Sequence, residues 1–339
     1  MDTFILGIET SCDETSAAVV QNGNHILSNI ISSQIDIHNI YGGVVPEIAS
    51  RMHTEIILQV INEALSKSKK TLEDIDSIAV TQGPGLIGSL MVGISTAKSL
   101  AYSLNKPLVG VNHLEAHISA VHLENDIDFP FIALIVSGGH TNIYYVKDYL
   151  EFELLSNTRD DAAGEAFDKA AKVLNLGYPG GIAIDNLAKE GNPKKIKFPR
   201  PLNDDSLEFS FSGIKTSLIN YLNNNMINNE QDLKDICASY QEAIVETLIN
   251  KTVNAVKKYK VKNIVISGGV ACNSRLRVLA KDKFEDKNIK VFIPSPVLCT
   301  DNAAMIAALG YYLFRNNITS DLNMSPYSTA KINPRSYNS

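Results

Sequence analysis

Short apolar runs closed by polar or glycine-rich turns recur along the chain. Residues 4–9 (FILGIE) enter the turn TSCDETS and then AAVV, the pattern of two strands joined by a tight polar turn. Residues 131–136 (FIALIV), the turn SGGHT and NIYYV at 142–146 repeat it. IDSIAV at 75–80 runs into TQGPGLIGS, and KNIVIS at 262–267 runs into GGVACNS. Each reads as a buried strand meeting a glycine turn ahead of an amphipathic helix. PLVGVN at 107–112 precedes a helix opening at His113, and KVFIPSP at 290–296 precedes one opening near Asp301.

These matched pairs, in one order, predict an internal duplication with βαβ-like crossovers, hence an α/β architecture of two lobes. The expected N-terminal lobe is residues 1–120 plus 302–330 and the C-terminal lobe 121–301, with a tail at 331–339. An insertion over about 150–235 is assigned to substrate binding; it holds AAGEAFDKAAKVLNL as a helix, the turn GYPGG and a short helix through Asp185. Residues 46–67 predict a helix opening at Pro46. Its apolar positions, Ile48, Met52, Ile56 and Val60 with Ile57, Ile61, Ala64 and Leu65, cover more than one face. One stripe can pack on the lobe, and the surplus is a candidate partner surface.

Composition narrows the class. With 339 residues, 45% hydrophobic and 20% charged, the chain has material for about two globular domains and is neither collagen-like nor mainly disordered. No apolar run reaches the roughly 18 residues of a membrane span, and acidic residues interrupt the first apolar segment, so a cytoplasmic location is expected. Cys12, Cys237, Cys272 and Cys299 show no CxxC spacing, which fits reduced thiols and argues against a cysteine zinc site. A net charge of −6 excludes a protein that grips nucleic acid through a global basic field. Any such role needs a partner or a local patch, for which Arg51, Lys194, Lys195, Lys197 and Arg200 are candidates.

The chemistry concentrates at the turns. In NHLEAH, His113 and His117 stand at i and i+4, about 40° apart on one helical face, which suits two metal ligands. Glu115 points to the other side, so this H-x-E-x-H lacks the geometry of an HExxH peptidase. Asp301, opening the corresponding helix of the other half, is the third candidate ligand; the alternative is an N-cap. Such an N,N,O set leaves coordination positions open. Turns at the carboxyl ends of parallel strands converge on a cleft between two such lobes, and their N–H groups suit a phosphate. Ser137, Gly138 and Gly139 form one such turn, or simply a tight hairpin; Gly268, Gly269 and Asn273 form another, with Asn273 alternatively capping the next helix. Neither fits a P-loop. Asp13 and Glu14 in the first turn are candidates for proton transfer or water positioning, and Asp168 and Asp185 for contacts to a ligand hydroxyl or amine.

GIETSCDETS (7–16), YGGVVPEIASRMH (41–53), QGPGLIGSL (82–90), NHLEAH (112–117), VSGGHT (136–141), GEAFDKAAK (164–172), YPGG (178–181), FSFSGIK (209–215), SGGVACNSRLR (267–277) and CTDNAAMIA (299–307) together resemble the TsaD family, tRNA threonylcarbamoyladenosine transferases. The resemblance implies an actin/Hsp70/sugar-kinase-like (ASKHA) duplicated two-lobe fold with central mixed sheets and a ligand cleft. It implies one divalent metal, iron(II) first and zinc second, on His113, His117 and Asp301. Substrate contacts carry over to Ile135, Val136, Ser137, Gly138, Gly139, Asp168, Gly181, Asp185 and Asn273, and the family's first-turn acids to Asp13 and Glu14. The implied reaction moves L-threonylcarbamoyl from threonylcarbamoyl-AMP to N6 of the adenosine 3′ of the anticodon. Implied partners are tRNA and, in bacteria, the paralogous TsaB and the ATPase TsaE, with no membrane. An ATP-dependent phosphotransferase of the sugar-kinase type and a nucleotide-switched scaffold are the competing readings.

Overall fold

The first apolar run forms β1 (Phe4–Glu9), and after the turn at residues 10–13 the chain returns as β2 (Glu14–Gln21). The pair is antiparallel, from Phe4 opposite Gln21 to Glu9 opposite Ser16. A third strand, β3 (His25–Ser33), extends this meander. The apolar-run pattern does not predict this strand, because its burial alternates instead of running continuously. Next come α1 (Ile35–Asn39), α2 (Pro46–Ser68), β4 (Ser77–Gly83), α3 (Ile87–Leu104), β5 (Leu108–Asn112) and α4 (His113–Ser119). β4 lies parallel to β1, and β5 parallel to β4, as the crossover helices require. The five-stranded sheet has the order β3-β2-β1-β4-β5.

The second half repeats the plan with β6 (Phe131–Val136), β7 (Thr141–Asp148), β8 (Glu151–Asn157), α5 (Ala163–Val173), α6 (Gly180–Ala188), α7 (Ser212–Asn224), α8 (Glu230–Tyr259), β9 (Asn263–Ser267), α9 (Ser274–Glu285), β10 (Lys290–Phe292) and α10 (Pro296–Cys299). α11 (Ala303–Arg315) follows. This sheet has the order β10-β9-β6-β7-β8, which read from its other edge is the first sheet's order. The expected duplication is therefore present strand by strand. The expected insertion opens with β8, an edge strand of the sheet, so the added helical material begins only after it.

This computed structural model describes residues 2–285 and 287–329; the expected tail at 331–339 lies outside them. The chain divides into two units, Met1–Ile127 with Asp148–Phe152 and Thr300–Ser339, and Asp128–Lys147 with Glu153–Cys299. The divisions fall after 127 and 299 rather than after 120 and 301, which puts Asp301 in the first unit with His113 and His117.

Local chemistry explains the element that seats Asp301. In α11 every residue from Ala303 to Gly310 is fully buried, a helix apolar on all sides that packs on β1, β2, β4 and α4. Its small residues permit close approach: a Cβ on Gly7 of β1 would stand 2.3 Å from the Ala303 carbonyl oxygen. Asn302, not Asp301, is its N-cap, accepting from the Met305 N–H at 3.1 Å. The Asp301 carboxylate is thereby released from capping. α2 opens at Pro46, as expected, and buries Ala49, His53, Ile57, Val60, Ile61, Ala64 and Leu65. Met52 and Ile56 are half-buried, and Leu58 is exposed. Among the described residues no helix is long and apolar enough to cross a membrane.

Candidate active site

In the first unit, Asn112 caps α4 by accepting from the N–H groups of Leu114 and Glu115, at 2.9 and 3.1 Å. The cap sets the phase of the two histidines that follow. His117 is fully buried and His113 nearly so. Their ring centroids lie 4.7 Å apart in an edge-to-face arrangement. Both Nε2 atoms turn to one oxygen, Oδ1 of Asp301, at 3.5 Å from His113 and 3.1 Å from His117. Donor atoms of the three side chains lie within 4.8 Å of one another.

That set fits a divalent cation. An ion about 2.0–2.2 Å from each donor would draw them to roughly 3–4 Å apart, a small adjustment. The second ring nitrogen of His113 is already used: Nδ1 lies 3.0 Å from Glu9 Oε2 and 3.3 Å from Ser11 Oγ, which leaves Nε2 for an ion. Glu9 is itself fully buried and fixed, its Oε1 accepting from the Ser11 N–H at 2.5 Å and its Oε2 from Thr81 Oγ1 at 2.7 Å. His117 Nδ1 is buried without a hydrogen-bond partner among the described residues. Of two imidazoles on one carboxylate, then, one is oriented through its far side by a carboxylate and the other by packing alone.

The first-turn acids belong to the same electrostatic neighbourhood. Burial pushes the Glu14 carboxyl well above the usual carboxylate range, and the negative charges of Asp301 and Asp13 add to it. Burial likewise raises the Cys12 thiol, with Asp13 and Asp301 reinforcing the shift, so this cysteine stays protonated. Burial opposes charge on His113, but the carboxylates of Asp301 and Glu9 outweigh it and hold the imidazole at about 9. His117 is pushed down by burial. Close carboxylates that cannot all ionise comfortably are the environment a cation relieves.

The second unit collects the residues expected to touch substrate. Ile135 and Val136 end β6, with Ile135 paired to Ser267 of β9. The turn at residues 137–140 closes by Ser137 N–H to the His140 carbonyl at 2.8 Å. Gly138 and Gly139 are exposed, and a Cβ on either would meet nothing within 4 Å. Gly268 holds φ +94°, and a Cβ there would stand 2.4 Å from the Val136 carbonyl oxygen, so glycine alone permits this approach. The four polar side chains all make internal hydrogen bonds, beginning with Ser137 Oγ, which accepts from the His140 N–H at 3.2 Å. Asp168 Oδ1 accepts from the Gly180 N–H at 2.8 Å, one residue ahead of Gly181. Asp185 accepts from the N–H and, at 2.8 Å, the hydroxyl of Ser274. Asn273 caps α9 through the Leu276 N–H at 3.0 Å and donates to Gln241 Oε1 at 2.7 Å.

A model of the TsaD family, tRNA N6-adenosine threonylcarbamoyltransferase, matches residues 25–308. The protein of that name from Clostridioides difficile strain 630 is 55% identical over 335 residues, which span 98% of this chain and 99% of that protein. Its namesake from Geotalea uraniireducens strain Rf4 is 56% identical over 323 residues, 95% of this chain and 94% of that protein. The chain belongs to the TsaD family. It is a transferase, as the motifs led one to expect. Among solved structures, HypF of T. kodakarensis aligns with a TM-score of 0.64 at 17% identity over 93% of this chain and 48% of HypF. The activator of the 2-hydroxyisocaproyl-CoA dehydratase from Clostridium difficile, with ADPNP bound, aligns with a TM-score of 0.55 at 15% identity over 93% and 97%. This likeness is one of fold, the actin/Hsp70/sugar-kinase-like arrangement that the motifs implied.

Within the TsaD frame, sequence reasoning missed Glu9, which orients His113, and His53 and Gln34, which are buried beside the acid turn. A signal was there for two of them. Glu9 is a carboxylate closing an otherwise apolar run, and His53 stands four residues from both Ala49 and Ile57 on the buried stripe of α2.

Proposed function

We propose that this chain transfers L-threonylcarbamoyl from threonylcarbamoyl-AMP to N6 of the adenosine 3′ of the anticodon, in tRNAs that read codons beginning with A. The observation that carries the reading is the 55% identity, over 98% of the chain, to a tRNA N6-adenosine threonylcarbamoyltransferase. The N6 amine attacks the carbonyl carbon of the mixed anhydride, the bond from that carbon to the phosphate oxygen breaks, and AMP leaves with the electron pair. The proton lost from N6 passes to the Asp13 carboxylate or to Glu14 in its ionised form, whose affinity for a proton burial raises.

The work divides between the units. In the second, the open N–H groups around Gly138 and Gly139 bind the phosphate, and Asp168, Gly181, Asp185 and Asn273 bound the remainder of the adenylate. In the first, His113, His117 and Asp301 hold a divalent cation, iron(II) or zinc. When bound, that ion supplies Lewis-acid polarisation of a substrate oxygen and offsets the charge of the nearby carboxylates. A sugar-kinase-type phosphotransfer has no use for that ligand set.

Nucleoside mass spectrometry of tRNA from cells depleted of the protein tests the reading. Threonylcarbamoyladenosine is expected to vanish and to return with the wild-type chain but not with His113→Ala. Its persistence at normal levels in depleted cells would overturn it. For partners, the proposal is the paralogous TsaB and the ATPase TsaE, docked against α2, where Met52 and Ile56 are half-buried and Leu58 is exposed. Met52→Glu or Ile56→Glu is expected to abolish co-purification of TsaB, and intact complexes would sink this docking surface.

A further inference from the structure

His53, on the packed face of α2, is fully buried, as is His38 on α1, and Gln34, just ahead of α1, is almost so. Buried polar groups persist when donors and acceptors match, and here backbone groups of unambiguous role fix the sense of the whole chain. The Val45 N–H only donates, and it meets His38 Nδ1 at 3.2 Å. That nitrogen is therefore bare, and the proton sits on Nε2, 3.1 Å from Gln34 Oε1. The Gln34 amide nitrogen then faces the Ala49 carbonyl and His53 Nδ1, each at 3.4 Å. Thr15 Oγ1 offers His53 Nδ1 a second, closer donor at 2.7 Å. The proton of His53 is thus on Nε2, which donates to the Cys12 carbonyl at 2.9 Å. A further bond, from the Gln34 backbone N–H to the Asp13 carbonyl at 3.1 Å, holds the next peptide.

The two peptides so held are those entering Asp13 and Glu14. We propose that His53 is the positioning residue of the acid turn: its Nε2–H, kept to one tautomer by Thr15 and the Val45–His38–Gln34 relay, orients the Cys12–Asp13 peptide and with it both carboxyls. Burial holds the His53 imidazole below its ordinary value, which keeps the ring neutral and its Nδ1 an acceptor. Nothing in the arrangement calls for His53 to touch substrate. The proposal rests on the reading of Asp13 and Glu14 as the groups that handle the proton.

Turnover of the full chain in the reconstituted transfer, with threonylcarbamoyl-AMP and tRNA, tests it alongside nitrogen-15 NMR of the His53 ring. The wild-type spectrum should show a protonated Nε2 and a bare Nδ1. In the side-chain series, the amide of Gln reaches about where Nε2 sits, whereas that of Asn stops at the position of Nδ1. H53L and H53N should therefore lose about 100-fold in kcat, the scale of a misplaced catalytic group, with KM for the adenylate within about threefold. H53Q should recover most of that loss. Should H53L fail to fold, the H53N and H53Q pair still decides, since both are polar and a purely structural role would not rank their kcat.

Equal kcat in H53N and H53Q, a loss confined to KM, or a proton on Nδ1 with Nε2 bare would each overturn the proposal. Full turnover in both Asp13→Asn and Glu14→Gln would overturn the reading of the acids and leave His53 nothing to position. That result is separable from one in which those variants lose turnover and H53N keeps it, which overturns the role of His53 alone.

Discussion

The turn after β1 and the turn after β6 stand at the same place in the same topology and are equal in length, residues 10–13 and 137–140. Their surroundings are opposite. Thr10, Ser11 and Asp13 are buried, with Ser11 O accepting from the Leu86 N–H and Thr10 Oγ1 donating to the Ser89 carbonyl, while His53 and His113 close the other sides. Gly138 and Gly139 face open space. The fold sets where a turn emerges, and residue identity sets whether it becomes a desolvated carboxylate cluster or an open cradle of N–H groups. Desolvation sharpens proton transfer and cation binding. An anion, by contrast, needs unobstructed backbone donors.

Removing Asp13 of the first turn together with Glu14, which opens β2, tests that division most strongly. Asp13→Asn combined with Glu14→Gln should lower kcat about 1000-fold while KM for the adenylate holds within about threefold, as expected of proton transfer separated from binding. A matching rise in KM would merge the two roles. Glu9→Gln removes the carboxylate behind His113 and should weaken metal affinity about 10- to 100-fold, read by competition with a chelator.

The units should also differ in acid. The first unit buries His38, His53, His113, His117 and His122, whereas the only histidine of the second is His140, in its turn. Burial holds His122 down at about 4, against the opposing charge of Asp126. The unfolded chain therefore binds this proton first, so the stability contributed by neutral His122 is complete above about pH 6.5 and is lost as pH falls toward 4. Between pH 7 and 5 that loss should be about 2 kcal/mol, visible as hydrogen exchange rising in the first unit and reduced in His122→Phe. The smallest effect belongs to the open turn. Gly138→Val should raise the adenylate KM about tenfold with the melting temperature unchanged, because the position is sterically free. Gly268→Ala is the control, since strain at φ +94° and the close Val136 carbonyl should lower the melting temperature itself.

Much of this was readable along the chain. The strands that carry the turns are continuous apolar runs, and the helices before and after the GYPGG turn sit where glycine, proline and helical spacing place them. The His113–His117 pair follows from the helical period alone. The edge strands β3 and β8 were not legible, because strands with exposed residues lose the continuous apolar signal. Asp301 was legible as a candidate but not as a released one, since choosing between capping and ligation depends on Asn302 taking the cap.

The sequence by itself determined the repeated strand-turn-helix plan, the phase of the histidines and the contrast between an acidic and a glycine turn, all of which depend on neighbours a few residues apart. Only the tertiary structure decided which distant groups complete them. Glu9 lies 104 positions from His113, and His117 lies 184 from Asp301. Contacts of that separation are set by how α4 and α11 pack on the sheet, and no local propensity encodes a hydrogen bond made between them. The same holds for His53, whose apolar spacing marks it for burial but whose tautomer is assigned by the carbonyl of Cys12 and the N–H of Val45.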